Sequence, residues 1–179
     1  MILVIDSLEG ASGAAPELFS AFLLSDVQTL VERTIDGEAV LTPTIFNDVG
    51  QATMRTVMKD QGTAALGVGP TFLNAVTVRR YRITYRRADG RNTPGVDVPY
   101  PIDGAVTATI TNIPSSLGFE AVRHQAKLEQ PLVTLVSLGG RVFISTIAEV
   151  TFYGEDLSGN AVQATGTMTV SFSDYADPQ

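Results

Sequence analysis

The sequence predicts an all-β protein made of short antiparallel strands, and three observations carry that expectation. Two-residue alternation is nearly unbroken toward the C-terminus, turn chemistry recurs between alternating segments, and nothing resembles a strand-helix-strand crossover. In the C-terminal region Val162, Ala164, Gly166, Met168, Val170 and Phe172 share one parity, while Gln163, Thr165, Thr167, Thr169 and Ser171 take the other. Such a segment reads as a half-buried strand. Val142, Ile144, Ala148, Val150 and Phe152 likewise share a parity opposite to Ser145, Glu149 and Thr151. Gly154 to Asn160 supplies the Gly, Asp, Ser and Asn of a turn between them.

From the N-terminus, Ile2 to Leu8 reads as a first strand, and Ala15 to Leu24 as a loop with room for one or two helical turns after Pro16. Asp26 to Arg33 and Ala39 to Phe46 flank Ile35-Asp36-Gly37-Glu38, whose Asp-Gly pair suits a type I′ hairpin turn. Gln51 to Lys59 alternates with Ala52, Met54 and Met58 on one side, and Gly62 to Pro70 reads as a loop. Val76 to Arg87 is rich in β-branched and aromatic residues and precedes the turn Ala88-Asp89-Gly90-Arg91-Asn92. Ala105 to Thr111 and Phe119 to Leu128 complete about nine strands, the latter with Val122, Ala126 and Leu128 on one face. Leu128 to Leu138 has room for a brief helical curl despite Pro131. The pattern predicts a two-sheet sandwich or a barrel.

At 179 residues the chain fits a single domain, 1–179, with 1–25 a candidate N-terminal strand and linker arm. The 44% hydrophobic and 17% charged fractions belong to an ordered globular protein. A formal charge of −7 disfavours nucleic acid and anionic membranes as partners. With no Cys there is no disulfide framework, thiolate nucleophile or cysteine-bound metal. No segment approaches the ~20 apolar residues of a transmembrane helix. The start, Met1 to Ile5 followed by Asp6, lacks the features of a signal peptide. A cytosolic or virion product is expected, or an exported protein whose leader has been removed.

His124, the only histidine, is the one base available to a hydrolytic triad, yet its parity with Val122 and Ala126 predicts an inward, structural ring. Oxygen-bearing turn residues, Asp89, Asn92, Asp97, Asp156 and Asn160 among them, are candidate calcium ligands if neighbouring loops bring them together. Local turn chemistry accounts for the same residues, and no EF-hand spacing is present. Arg79, Arg80, Arg82, Arg86, Arg87 and Arg91 make up six of the twelve basic residues. On a strand Arg80, Arg82 and Arg86 form a cationic stripe behind Tyr81, Ile83 and Tyr85, read as a solvated face or a contact with another subunit. The apolar run Ile2, Leu3, Val4 and Ile5 is a first strand or an arm that completes a neighbour's sheet.

The run from Ala148 to Asn160, with Asp156-Leu157-Ser158-Gly159-Asn160 leading into an alternating strand, resembles the closing hairpin of bacterial immunoglobulin-like domains. Together with Val40 to Asn47 and Tyr81 to Gly104, it is similar to an uncharacterised family of exported bacterial proteins of lipoprotein type. That resemblance implies an antiparallel immunoglobulin-like β-sandwich outside the cytoplasm. It carries no known activity, and the lipid-bearing Cys of such proteins is missing here. The expected function is a non-enzymatic extracellular structural or binding module, self-associating or bound to another protein, with no cofactor other than a candidate calcium. N-terminal strand exchange into a homo-oligomer or filament is one form of that expectation. A bacteriophage or virion decoration or tail component is the alternative, and a hydrolase using His124 the reading from another class.

Overall fold

The structure is a computed structural model that describes residues 1–58 and 74–175. Among the described residues the chain forms ten strands: β1 (Ile2–Ala11), β2 (Phe22–Asp26), β3 (Thr29–Ile35), β4 (Glu38–Thr44), β5 (Asp48–Val57), β6 (Val76–Arg86), β7 (Ile102–Ile110), β8 (Ser115–Val122), β9 (Ile144–Asp156) and β10 (Ala161–Ser173). A helical turn, α1 (His124–Lys127), and a 3₁₀ turn at Leu132–Leu135 lie between β8 and β9. One sheet has the order β1-β5-β8, a second β2-β10-β9-β6-β7, and β3 with β4 forms a separate two-stranded ribbon. All pairings are antiparallel except β2 with β10, which run in the same direction.

The two larger sheets pack face to face because alternation gives each an apolar side. Ala52 and Met54 of β5 and Leu117 and Phe119 of β8 meet Tyr81 and Ile83 of β6, Val150 and Phe152 of β9 and Met168 and Val170 of β10. At the centre the rings of Phe119 and Phe152 stand edge-on at 5.4 Å between centroids, with Tyr81 5.4 Å from Phe119. Two of these rings lie over glycines directly opposite them in the ladder. Phe119 pairs with Gly50 and Tyr81 with Gly104, and a Cβ on either glycine would stand 2.2 Å from a ring carbon.

The closing hairpin follows the alternation with Ala164, Met168, Val170 and Phe172 buried and Gln163, Thr165 and Thr167 exposed, but Ser171, expected on the wet side, is buried at the end of the strand, where residues 170–173 are all covered. The Asp36-Gly37 turn has positive φ at both residues, 53° and 87°, as a type I′ turn requires. Several expectations are corrected. Ala15 to Leu24 holds no helix, and its last residues enter β2. Val142 is exposed rather than in the core row. The strand expected from Phe119 to Leu128 stops at Val122, because the chain winds into α1 with Ala126 N–H donating to Arg123 C=O at 3.1 Å. Helical spacing then turns Lys127 inward and leaves Leu128 exposed, so His124 is exposed as well rather than inward. The loop expected at Gly62 to Pro70, and Lys59, lie outside the described residues.

Candidate assembly surface

The β3–β4 ribbon follows β2 off one end of the sandwich. Its seven paired positions run from Thr29 opposite Thr44 at the root to Ile35 opposite Glu38 at the tip. With ~3.4 Å per residue it extends about 20 Å. Most of both strands beyond the root is exposed. Side chains directly opposite each other share a face, so Val31, Arg33, Ile35, Glu38, Val40 and Thr42 lie on one side and Leu30, Glu32, Thr34, Ala39, Leu41 and Pro43 on the other. Ile35, Val40 and Leu41 are 40–50% exposed. An isolated two-stranded ribbon is marginal in water, and one with apolar groups open on both faces gains from a partner.

A second exposed apolar group lies on the outer face of the five-stranded sheet. Phe22 and Leu24 of β2 pair with Thr169 and Ser171 of β10, on the face away from the core, and Thr169 pairs with Ile147 of β9. Phe22, Leu24, Ile147 and the adjoining Phe143 are 47–64% exposed. Arg86 lies opposite Ile147 in the ladder, and Arg141, also exposed, precedes Phe143 by two residues.

The arginine stripe is on this same outer face. Arg80, Arg82 and Arg86 are exposed and Tyr81, Ile83 and Tyr85 buried, as the alternation predicts. Arg82 bonds Asp103 on the neighbouring strand at 2.8 Å, Arg86 approaches Glu149 at 3.8 Å, and Arg80 lies 4.1 Å from the Tyr153 ring centroid. Such exposed ion pairs contribute about 0–1 kcal/mol each. A shallow concavity of about 360 Å³ opens beside Arg80, lined also by Arg79, Tyr153, Glu155 and Gln163. Ile2, Leu3, Val4 and Ile5 are placed in β1, an edge strand, opposite Val57, Thr56, Arg55 and Met54 of β5.

The calcium candidates fall into two groups that the fold does not bring together. Asp89, Asn92 and Asp97 follow Arg86 at one end of β6, whereas Asp156 pairs with Val76 at the other end, with Asn160 in the turn beyond. Each group serves its own loop. Asp89 accepts from Arg87 and Arg91, which hold its carboxyl well below the usual range. Asn92 Oδ1 accepts from Arg87 N–H at 2.6 Å, and Asp97 from Thr93 N–H at 3.1 Å. Asp156 accepts from the Asn160 side chain and from the N–H groups of Asn160 and Ser158, and these donors lower its pKa. Among the described residues no group of three or more His, Cys, Asp or Glu side chains is arranged to hold a metal ion.

A depressed carboxyl in the folded state adds stability above its unfolded pKa and loses it as pH falls through the folded value. Asp156→Ala is therefore expected to melt below the parent protein near neutrality, with the gap narrowing in acid as the pH falls below the ordinary carboxylate range. Thermal melts of both proteins across that range check this.

The sequence reading missed a buried polar cluster at the root of the ribbon. Lys127 Nζ donates to Asp48 Oδ1 at 2.9 Å, with their side chains 1% and 0% exposed. Gly13 N–H donates to the same oxygen at 2.9 Å and Ser25 Oγ to Asp48 Oδ2 at 2.6 Å. Burial pushes the Asp48 carboxyl above its ordinary range, against the pull of Lys127. Next to it Asn47 Oδ1 accepts from both the N–H and the ring Nδ1 of His124, at 2.6 and 2.9 Å, so the lone histidine is fixed at the start of α1. At the root itself Asp26 accepts from Thr29 Oγ1 at 2.6 Å and Tyr175 N–H at 3.1 Å. No family model, curated protein or solved structure matches the chain.

Proposed function

We propose that this chain is a non-enzymatic structural subunit that associates with copies of itself, working outside the cytoplasm on an immunoglobulin-like sandwich. The observation that carries the reading is the β3–β4 ribbon, which stands off the sandwich with Val40 on one face and Leu41 on the other, both exposed. The Asp26, Thr29 and Tyr175 contacts anchor its root, and so favour a projecting arm over a loose loop. The immunoglobulin-like assignment draws support from the two facing sheets and the β9–β10 closing hairpin. Exchange of β1 is a second route to the same kind of assembly, and it would give up nine paired positions with β5.

Light scattering coupled to size-exclusion chromatography, with electron microscopy of the same fractions, tests the proposal. The expected result is a mass several times that of the 19.0 kDa chain. Val40→Asp with Leu41→Asp should return it to a monomer of nearly unchanged melting temperature, because neither residue belongs to the sandwich core. A parent protein that stays monomeric from micromolar to millimolar concentration defeats the proposal.

A virion component is the second reading, favoured by an arm of defined direction, which suits subunits repeated in a shell or tube. Neighbouring genes for capsid or tail proteins would select it, and an upstream export leader would select the cell exterior.

A further inference from the structure

We propose that the arm of one copy lies across the outer sheet face of the next, with its Leu41 side against Phe22, Leu24, Ile147 and Phe143. This rests on the self-association reading above and specifies the two surfaces that meet. Each surface has large apolar side chains left exposed among the described residues, and a second copy brings the other surface with it.

The two ribbon faces differ in charge, and that difference selects the side that docks. The Leu41 face combines Ala39, Leu41 and Pro43 with one charged side chain, Glu32, which lies directly opposite Leu41. The Val40 face carries Arg33 and Glu38. The receiving patch is rimmed by Arg86 and Arg141. Arg86 has Glu149 only at 3.8 Å, and Arg141 has no carboxylate within ion-pair distance among the described residues. An apolar strip with a single carboxylate therefore meets an apolar patch rimmed by Arg141 and by Arg86, which has Glu149 at 3.8 Å, whereas the opposite face carries both Arg33 and Glu38 and so has no net charge to complement that rim. At such a rim the charges set register and exclude wrong orientations more than they add affinity. The whole arm has the same bias, with Glu32, Asp36 and Glu38 against Arg33.

Because the arm and the patch are different surfaces of one chain, the contact is heterologous. It propagates from copy to copy and closes into a ring or continues as a helical filament. Each subunit uses the contact twice, once with the arm and once with the patch. Ring closure thus multiplies a contact that is small on its own.

The absence of cysteine makes disulfide trapping unambiguous. Leu41→Cys and Ile147→Cys are prepared as separate proteins, mixed under mild oxidation and compared with the mixture of Val40→Cys and Ile147→Cys. The expected result is a covalent dimer containing one chain of each kind from the first mixture and its loss in the second. Glu32→Lys in the Leu41→Cys chain should remove the dimer, and Arg141→Glu in the Ile147→Cys chain should restore it. Three results overturn the proposal. Leu41→Cys dimers formed only with themselves, in a protein that still assembles, would show a two-fold arm-to-arm contact and leave self-association standing. A dimer from the Val40→Cys mixture alone would assign the opposite ribbon face. No covalent dimer from a protein that is monomeric by light scattering would remove both this contact and the reading on which it rests.

Discussion

Replacing Lys127 with methionine is expected to destabilise the protein by about 3–5 kcal/mol, the cost of stripping one partner from a buried ion pair. Lys127 reaches Asp48 from α1, and neither side chain has meaningful contact with water. Methionine fills a similar volume, so the loss would come from the carboxylate it leaves behind. Asp48 would keep only the donors from Gly13 and Ser25. Its carboxyl is already raised by burial, and loss of the ammonium raises it further. A raised folded pKa gives stability that is full below the unfolded value and is lost as pH rises through the folded one. The gap between parent and variant should therefore narrow in acid. Urea unfolding at a series of pH values measures it, and Asp48→Asn combined with Lys127→Met should cost much less than the two single changes summed. A single variant within about 1 kcal/mol of the parent at neutral pH would mean that water reaches the pair in solution.

Phe152→Ala is the second large effect, also about 3–5 kcal/mol. The ring is fully buried in β9, between the two strands it pairs with, and meets Phe119 edge-on at 5.4 Å and Tyr81 at 6.2 Å. Its neighbours cannot close the space left behind, because Phe119 and Tyr81 are seated over Gly50 and Gly104 and would have to leave those positions. Phe152→Leu retains most of the volume and should cost well under half as much. Equal losses for the two variants in denaturant unfolding would show that ring geometry, rather than volume, sets the stability of this centre.

Alternation made most of the sandwich legible. The rows from Ala164 to Val170 and from Tyr81 to Tyr85 lie where the two-residue period puts them, whereas Ser171, expected on the wet side, is buried; Asp36-Gly37 announced the ribbon turn. The pattern was silent about what the ribbon does. Its mixture of Val, Leu, Thr and Glu reads as an ordinary half-buried hairpin, and only the exposure of Val40 and Leu41 shows that both faces are open among the described residues. The patch was hidden for a related reason. Phe22 and Leu24 belong to a five-residue strand whose parallel partner lies near the far end of the sequence, and Ile147 sits alone among polar residues on its side of β9. Lys127 failed differently: residue type argued for solvent, and only the switch from strand to helical spacing after Val122 turns it toward Asp48. Carboxylates and amides in the turns gave a signal for calcium that their local hydrogen bonds account for, in loops at opposite ends of β6.

The pairing of β2 with β10 also imposes an order on folding. Phe22 to Asp26 find their ladder only in Thr169 to Ser173, so β2, and the arm that springs from it, have local bonds such as Ser25 to Asp48 but no ladder until β10 has been synthesised. Contacts so distant in sequence form late and slowly. A nascent or truncated chain could display the arm's residues but could not hold them in a fixed direction. On the self-association proposed above, competence to join a neighbour would come only once β10 is in place, and chains that lack it would be kept out of an assembly.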